Sequence, residues 1–94
     1  MANLSEELTR GAQAEDLLNH ELIQEFLTKI RENIILEIRN SKDDDAEGRE
    51  RAYRLLKVVD AFERHFVSII ETGRMAQKQL SAGEKVRNLF GGMF

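Results

Sequence analysis

From Ala46 to Leu80 the chain repeats one spacing without a break. Ala52, Leu55, Val59, Phe62, Phe66, Ile69, Gly73, Ala76 and Leu80 follow at alternating intervals of three and four residues. A helix puts residues three and four apart on one side, so these positions form a single seam. Unbroken alternation of this kind is the heptad a/d pattern of a coiled coil, a helix laid lengthwise against other helices. At 1.5 Å per residue the stretch is about 50 Å long. Nothing interrupts it, because the 94 residues contain no proline. The rest of the chain reads as the cover for this spine.

Two shorter helices are expected before it. Ser5, followed by Glu6 and Glu7, suits the start of a first helix running to about Leu18, with Leu8, Ala12, Leu17 and Leu18 inward. Asn19 suits a cap for a second helix over His20 to about Arg39. Its apolar residues Leu22, Ile23, Phe26, Leu27, Ile30, Ile34, Ile35 and Ile38 recur at helical spacing. Asn40 to Asp45 is a polar turn, with Asp44 or Asp45 placed to cap the long third helix. The expected fold is all-α: an antiparallel helical hairpin, one long C-terminal helix covered by two shorter N-terminal helices. In that register the small residues Gly73 and Ala76 fall opposite Gly11, Ala12 and Ala14, which permits close backbone approach.

Residues 1–82 make the expected hairpin domain, with Ser81-Ala82-Gly83 as the stop of the third helix. Residues 83–94 make an apolar tail. Leu89, Phe90, Met93 and Phe94, spaced by two glycines, either fold back into a gap of the protein's own oligomer or serve as candidate anchors for a protein partner. Leu36, Leu56, Val58, Val67 and Ile70 lie off the main seam. They either close a three-helix core or form a contact between subunits; an exposed patch of that size is unusual on a monomer, so a homo-oligomer is expected.

Charge is divided along the chain. Residues 1–47 carry twelve Asp/Glu against five Lys/Arg, and residues 48–94 carry five against nine. Complementary packing of an acidic arm on a basic one accounts for this division. A basic surface for nucleic acid is the alternative, with Arg49, Arg51, Arg54 and Lys57 as candidate contacts. Interleaved Glu50, Asp60 and Glu63 weaken that alternative.

Other chemistry finds little footing. There is no cysteine, hence no disulfide, thiol nucleophile or Cys-ligated zinc. Asp43 to Gly48 resembles the start of a calcium loop, but its twelfth position is Arg54 rather than glutamate. A capped helix start explains it better. His20 and His65 lack further ligands at metal spacing. Glu15, Glu25, Glu32 and Glu37 sit among Lys29, Arg31 and Arg39, the pattern of a solvated surface. No phosphate loop or nucleophile elbow stands out, so no catalytic residue, metal or cofactor is expected. Glu6 and Glu7 in an N-terminus without an apolar run argue against a secretory signal. No run approaches the length of a membrane span. A cytoplasmic setting is expected, in a host cell or virion if the protein is viral.

Three stretches carry a resemblance: Arg10-Gly-Ala-Gln-Ala-Glu-Asp-Leu-Leu-Asn19, Ala46-Glu-Gly-Arg-Glu-Arg-Ala-Tyr53 and Glu71-Thr-Gly-Arg-Met-Ala-Gln-Lys-Gln-Leu80. Over residues 10–80 the chain resembles small all-helical proteins, mostly of unassigned function, encoded in tailed-phage and prophage gene clusters. The resemblance implies a viral setting and a non-enzymatic assembly or accessory role, and assigns no site residue.

Overall fold

The computed structural model describes residues 3–91, apart from the Phe90 side chain. These residues form three helices and no strand: α1 over Leu4–Leu18, α2 over Glu21–Arg39 and α3 over Ala46–Gly91. The all-helical class is as expected from the periodicity.

Each helix start is fixed by a side chain that accepts an otherwise unpaired N–H. For α1 the cap is Asn3, whose Oδ1 accepts from Glu6 N at 2.8 Å, rather than the expected Ser5. For α2 it is His20, one residue beyond the expected Asn19, with Nδ1 accepting from Leu22 N at 3.1 Å. For α3 it is Asp45, whose Oδ1 accepts from Gly48 N at 3.0 Å. The expected stop at Ser81-Ala82-Gly83 is absent, and α3 passes through it to Gly91. No described glycine has a positive φ, so Gly83 forms no left-handed helix end.

The contacts divide the chain into two units, with α3 contributing to both. In the unit Leu17–His65, α2 packs antiparallel on the first part of α3. Ser41 and Lys42 meet Arg49, whereas Arg31, earlier in α2, meets Asp60 and Glu63, later in α3. The core is Leu27 and Ile34 against Ala52 and Val59, flanked by Leu18, Ile23, Ile30, Ile38 and Leu56.

The other unit comprises the described residues up to Asp16 and from Phe66 onward. Here α1 meets α3 through small residues: Gly11 and Ala14 are buried, as are Gly73 and Ala76, with Ile70 beside them. A β-carbon built on either Gly11 or Gly73 would stand 2.8 Å from the Cα of the other. The expected small-against-small contact is therefore present, with Gly11 opposite Gly73. Ala12, expected inside, is exposed, as is Leu17.

The seam on α3 is also corrected. Ala52, Val59, Gly73 and Ala76 are buried as expected, but Leu55 and Phe62 are each nearly half exposed. Leu56 and Ile70, expected off the seam, turn inward instead. The line through Ala52, Leu56, Val59 and Glu63 alternates by four and three just as the expected line does. Spacing alone therefore cannot choose between them. The pairing of Arg31 with Asp60 and Glu63 draws this second edge toward α2.

Candidate functional site

In the unit Leu17–His65, the polar side of the α2–α3 contact is organised by Arg31. It projects from the middle of α2, and its Nε and Nη2 donate to Asp60 Oδ1 at 3.3 and 3.2 Å while Nη2 also donates to Glu63. Hydrogen bonding to Glu63 raises the Arg31 pKa above the ordinary arginine value, and attraction to both carboxylates adds to it against the desolvation that lowers it. A guanidinium can hold two carboxylates in this way because its donors form a planar fork. Sequence reading placed Arg31 on a solvated face and missed this cluster. The signal that reveals it is register: in an antiparallel hairpin Arg31 falls within a turn of Asp60.

The four candidate nucleic-acid contacts take different roles. Arg49 clamps the turn between α2 and α3, donating to Ser41 Oγ at 3.1 Å, Lys42 O at 2.7 Å and Asp43 O at 3.1 Å. Arg54 pairs with Glu50 at 2.7 Å, and Lys57 sits 4.9 Å from the centre of the Tyr53 ring. Arg51 lines an open groove of about 500 Å³ with Glu37, Asn40, Ser41, Asp45, Gly48, Ala52 and Leu55. At 100° per residue these four positions span more than half of the helix circumference, so they do not form one basic stripe.

The imidazole Nδ1 of His20 is occupied as a helix cap. Among the described residues no group of three His, Cys, Asp or Glu side chains is arranged to hold a metal ion. Asp45, the third acidic residue of the calcium-like run, caps α3, and Arg54 lies within that helix. Nor is any described helix long and apolar enough to cross a membrane.

Of the expected tail anchors, Leu89 lies on α3 and is 71% exposed. The Phe90 side chain, Met93 and Phe94 lie outside the described residues. Residues 81–89 of α3 are exposed throughout. Behind them, Arg74, Lys78 and Lys85 line one shallow groove, and Arg74 pairs with Glu15 of α1 at 3.0 Å.

The most distinctive surface is apolar. Leu22 and Phe26 of α2 and Leu55, Val58 and Phe62 of α3 are all between 46 and 66% exposed. On a helical wheel, Leu22 and Phe26 lie on the flank of α2 away from Arg31. Likewise Leu55, Val58 and Phe62 lie on the flank of α3 away from Asp60. The groove shared by Glu37, Arg51 and Leu55 opens on this same flank. The Arg31 side of the α2–α3 pair is thus mainly ionic, with Ile35 and Tyr53 also exposed there, and the other side is mainly apolar. No family model matches the chain, and no curated protein or solved structure matches it.

Proposed function

We propose that the chain is a non-enzymatic, oligomeric helical protein–protein interaction module, serving as an assembly or accessory protein of a tailed phage. The observation that carries the interaction role is the apolar flank of α2 and α3, set beside a core of only modest side chains. Large apolar residues gathered on one side of a helix pair are the surface by which helical proteins associate. The architecture that goes with this reading is the antiparallel hairpin, with α3 covered by α1 and α2. It is supported by each shorter helix packing on its own stretch of α3. The viral setting rests on the sequence resemblance over residues 10–80. Leu89, Phe90, Met93 and Phe94 remain the proposed anchors for a separate protein partner.

Light scattering during size-exclusion chromatography tests the oligomeric part, with a discrete multiple of 10.8 kDa expected. Truncation after Asn88 tests the partner part: helicity and mass stay, and the partner is lost. Unfolding on truncation would make the tail part of the core and end that proposal.

A second reading, a nucleic-acid-binding accessory such as a DNA-packaging component or small regulator, draws on the basic second half of the chain, where Arg74, Lys78 and Lys85 line one groove and Arg51 lines a separate one. It requires binding that weakens steeply with salt and on neutralising Arg49, Arg51, Arg54 and Lys57. Absent or salt-independent binding rejects it.

A further inference from the structure

We infer that the flank formed by Leu22, Phe26, Leu55, Val58 and Phe62 is the face on which a second copy of this chain docks, making a two-fold dimer of α2–α3 pairs. The inference rests on the oligomeric reading above and adds to it the surface and the occupant.

Two arguments point to a second copy. The first is the size of the core. The unit Leu17–His65 buries Leu27, Ile34, Ala52 and Val59 and covers five further apolar residues only in part. Below about 70–80 residues a single core supplies only a few kcal/mol, and oligomerisation is one of the ways so small a unit gains more. The second is area. An aromatic side chain carries about 150–250 Å², and leucine and valine carry less. Phe26 and Phe62 with Leu22, Leu55 and Val58, each about half exposed, offer about 400–500 Å² per copy. Two copies contribute about 800–1,000 Å², and the flanking atoms of the groove bring the contact to the size of a stable interface.

The borders of the face suit self-association as well. Glu37 and Arg51 line the groove at its turn end and carry opposite charges. In a pair with both turns at one end, each copy offers Arg51 to the other's Glu37. The ionic side, where Arg31 holds Asp60 and Glu63, has its charges satisfied within the chain and needs no partner. A two-fold contact through one flank closes on itself, which gives a dimer and not a filament.

The test uses the full chain. The wild type is expected at twice 10.8 kDa by light scattering. The double variant Leu22→Glu, Val58→Glu changes the two most exposed residues of the face and is expected at 10.8 kDa, with the circular-dichroism helix signal retained. Because the protein has no cysteine, a single Val58→Cys variant gives a second readout if the double variant fails to fold. Coupling a bulky maleimide to that thiol should bring the protein to its monomeric mass, while the same coupling to Tyr53→Cys, exposed about 140° round α3 from Val58, should leave the dimer intact. A wild type at 10.8 kDa overturns the inference and the oligomeric reading together. An oligomer that survives Leu22→Glu, Val58→Glu, or maleimide coupling at Val58→Cys that dissociates it no more than coupling at Tyr53→Cys, overturns this face and leaves the oligomeric reading standing.

Discussion

Gly11 of α1 and Gly73 of α3 sit against one another so closely that neither has room for a β-carbon, which would stand 2.8 Å from the partner's Cα. A β-carbon on Gly11 would also stand 3.3 Å from the carbonyl oxygen of Ile69, and one on Gly73 would stand 3.0 Å from that of Glu7. The obstacles are backbone, which cannot rotate aside as a side chain can. Alanine normally favours a helix over glycine by about 1 kcal/mol. Here the forced separation outweighs that gain, and Gly11→Ala or Gly73→Ala is expected to destabilise by about 1–3 kcal/mol. Urea denaturation measures it; an unchanged or raised midpoint would show that the helices are not held this closely.

Leu27 is the largest fully buried side chain, at 2% exposure, whereas Phe62 is 48% exposed. Leu27→Ala should therefore cost about 2–5 kcal/mol through lost burial and the cavity left behind. Phe62→Ala should cost less than the 3–5 kcal/mol typical of a buried phenylalanine. Equilibrium unfolding at low protein concentration compares the two. The reverse order would restore Phe62 to the core.

Asp45 holds the first turn of α3 through the Gly48 N–H, and its main-chain oxygen accepts from Arg49 N at 3.2 Å. Asp45→Ala removes the side-chain acceptor and should lower stability by about 0.5–2 kcal/mol. Asp45→Asn, which keeps an oxygen in place, should lose much less. Equal melting temperatures for Asp45→Ala and the wild type would reject the cap.

Arg31→Ala should cost about 0.2–1 kcal/mol, because all three ionic groups remain partly solvated. Arg31→Lys should recover only part of that, since a single ammonium lacks the fork that spans two carboxylates. The raised Arg31 pKa makes its contribution fully present below the arginine range and lost only as pH rises through the folded value. Between about pH 6 and 9 arginine does not titrate, so this group adds no slope to stability there. A loss confined to that window in the wild type but missing in Arg31→Ala would contradict the assignment.

Most of the helix layout was legible because periodicity, turn chemistry and the missing proline all pointed the same way. Asp45 was readable as a cap for the same reason. Asn3 and His20 displaced the expected Ser5 and Asn19 by one or two residues, since several adjacent side chains can accept the same helix-start N–H groups. What the pattern could not give was the edge of the seam. Leu55 and Leu56 are neighbours, and both complete a valid heptad with Ala52 and Val59. Only the long-range pairing of Arg31 with Asp60 and Glu63 selects between them. The apolar flank was hidden by the same ambiguity, with Phe62 read as core and Val58 as periphery. The candidate basic contacts Arg49, Arg51, Arg54 and Lys57 are close in sequence, but helical rotation spreads them over more than half of α3.

One consequence follows from α3 being continuous to Gly91 while residues 81–89 are exposed on every side. A short helical segment without tertiary contacts is only marginally stable in water. Amide hydrogens along α3 should therefore exchange on widely different timescales, slowest near Val59 and fastest beyond Ala82, within one covalently unbroken helix. The end of α3 is thereby sensitised to its surroundings. Any molecule that shelters those last turns will slow their exchange, so the helix itself reports on its own occupancy.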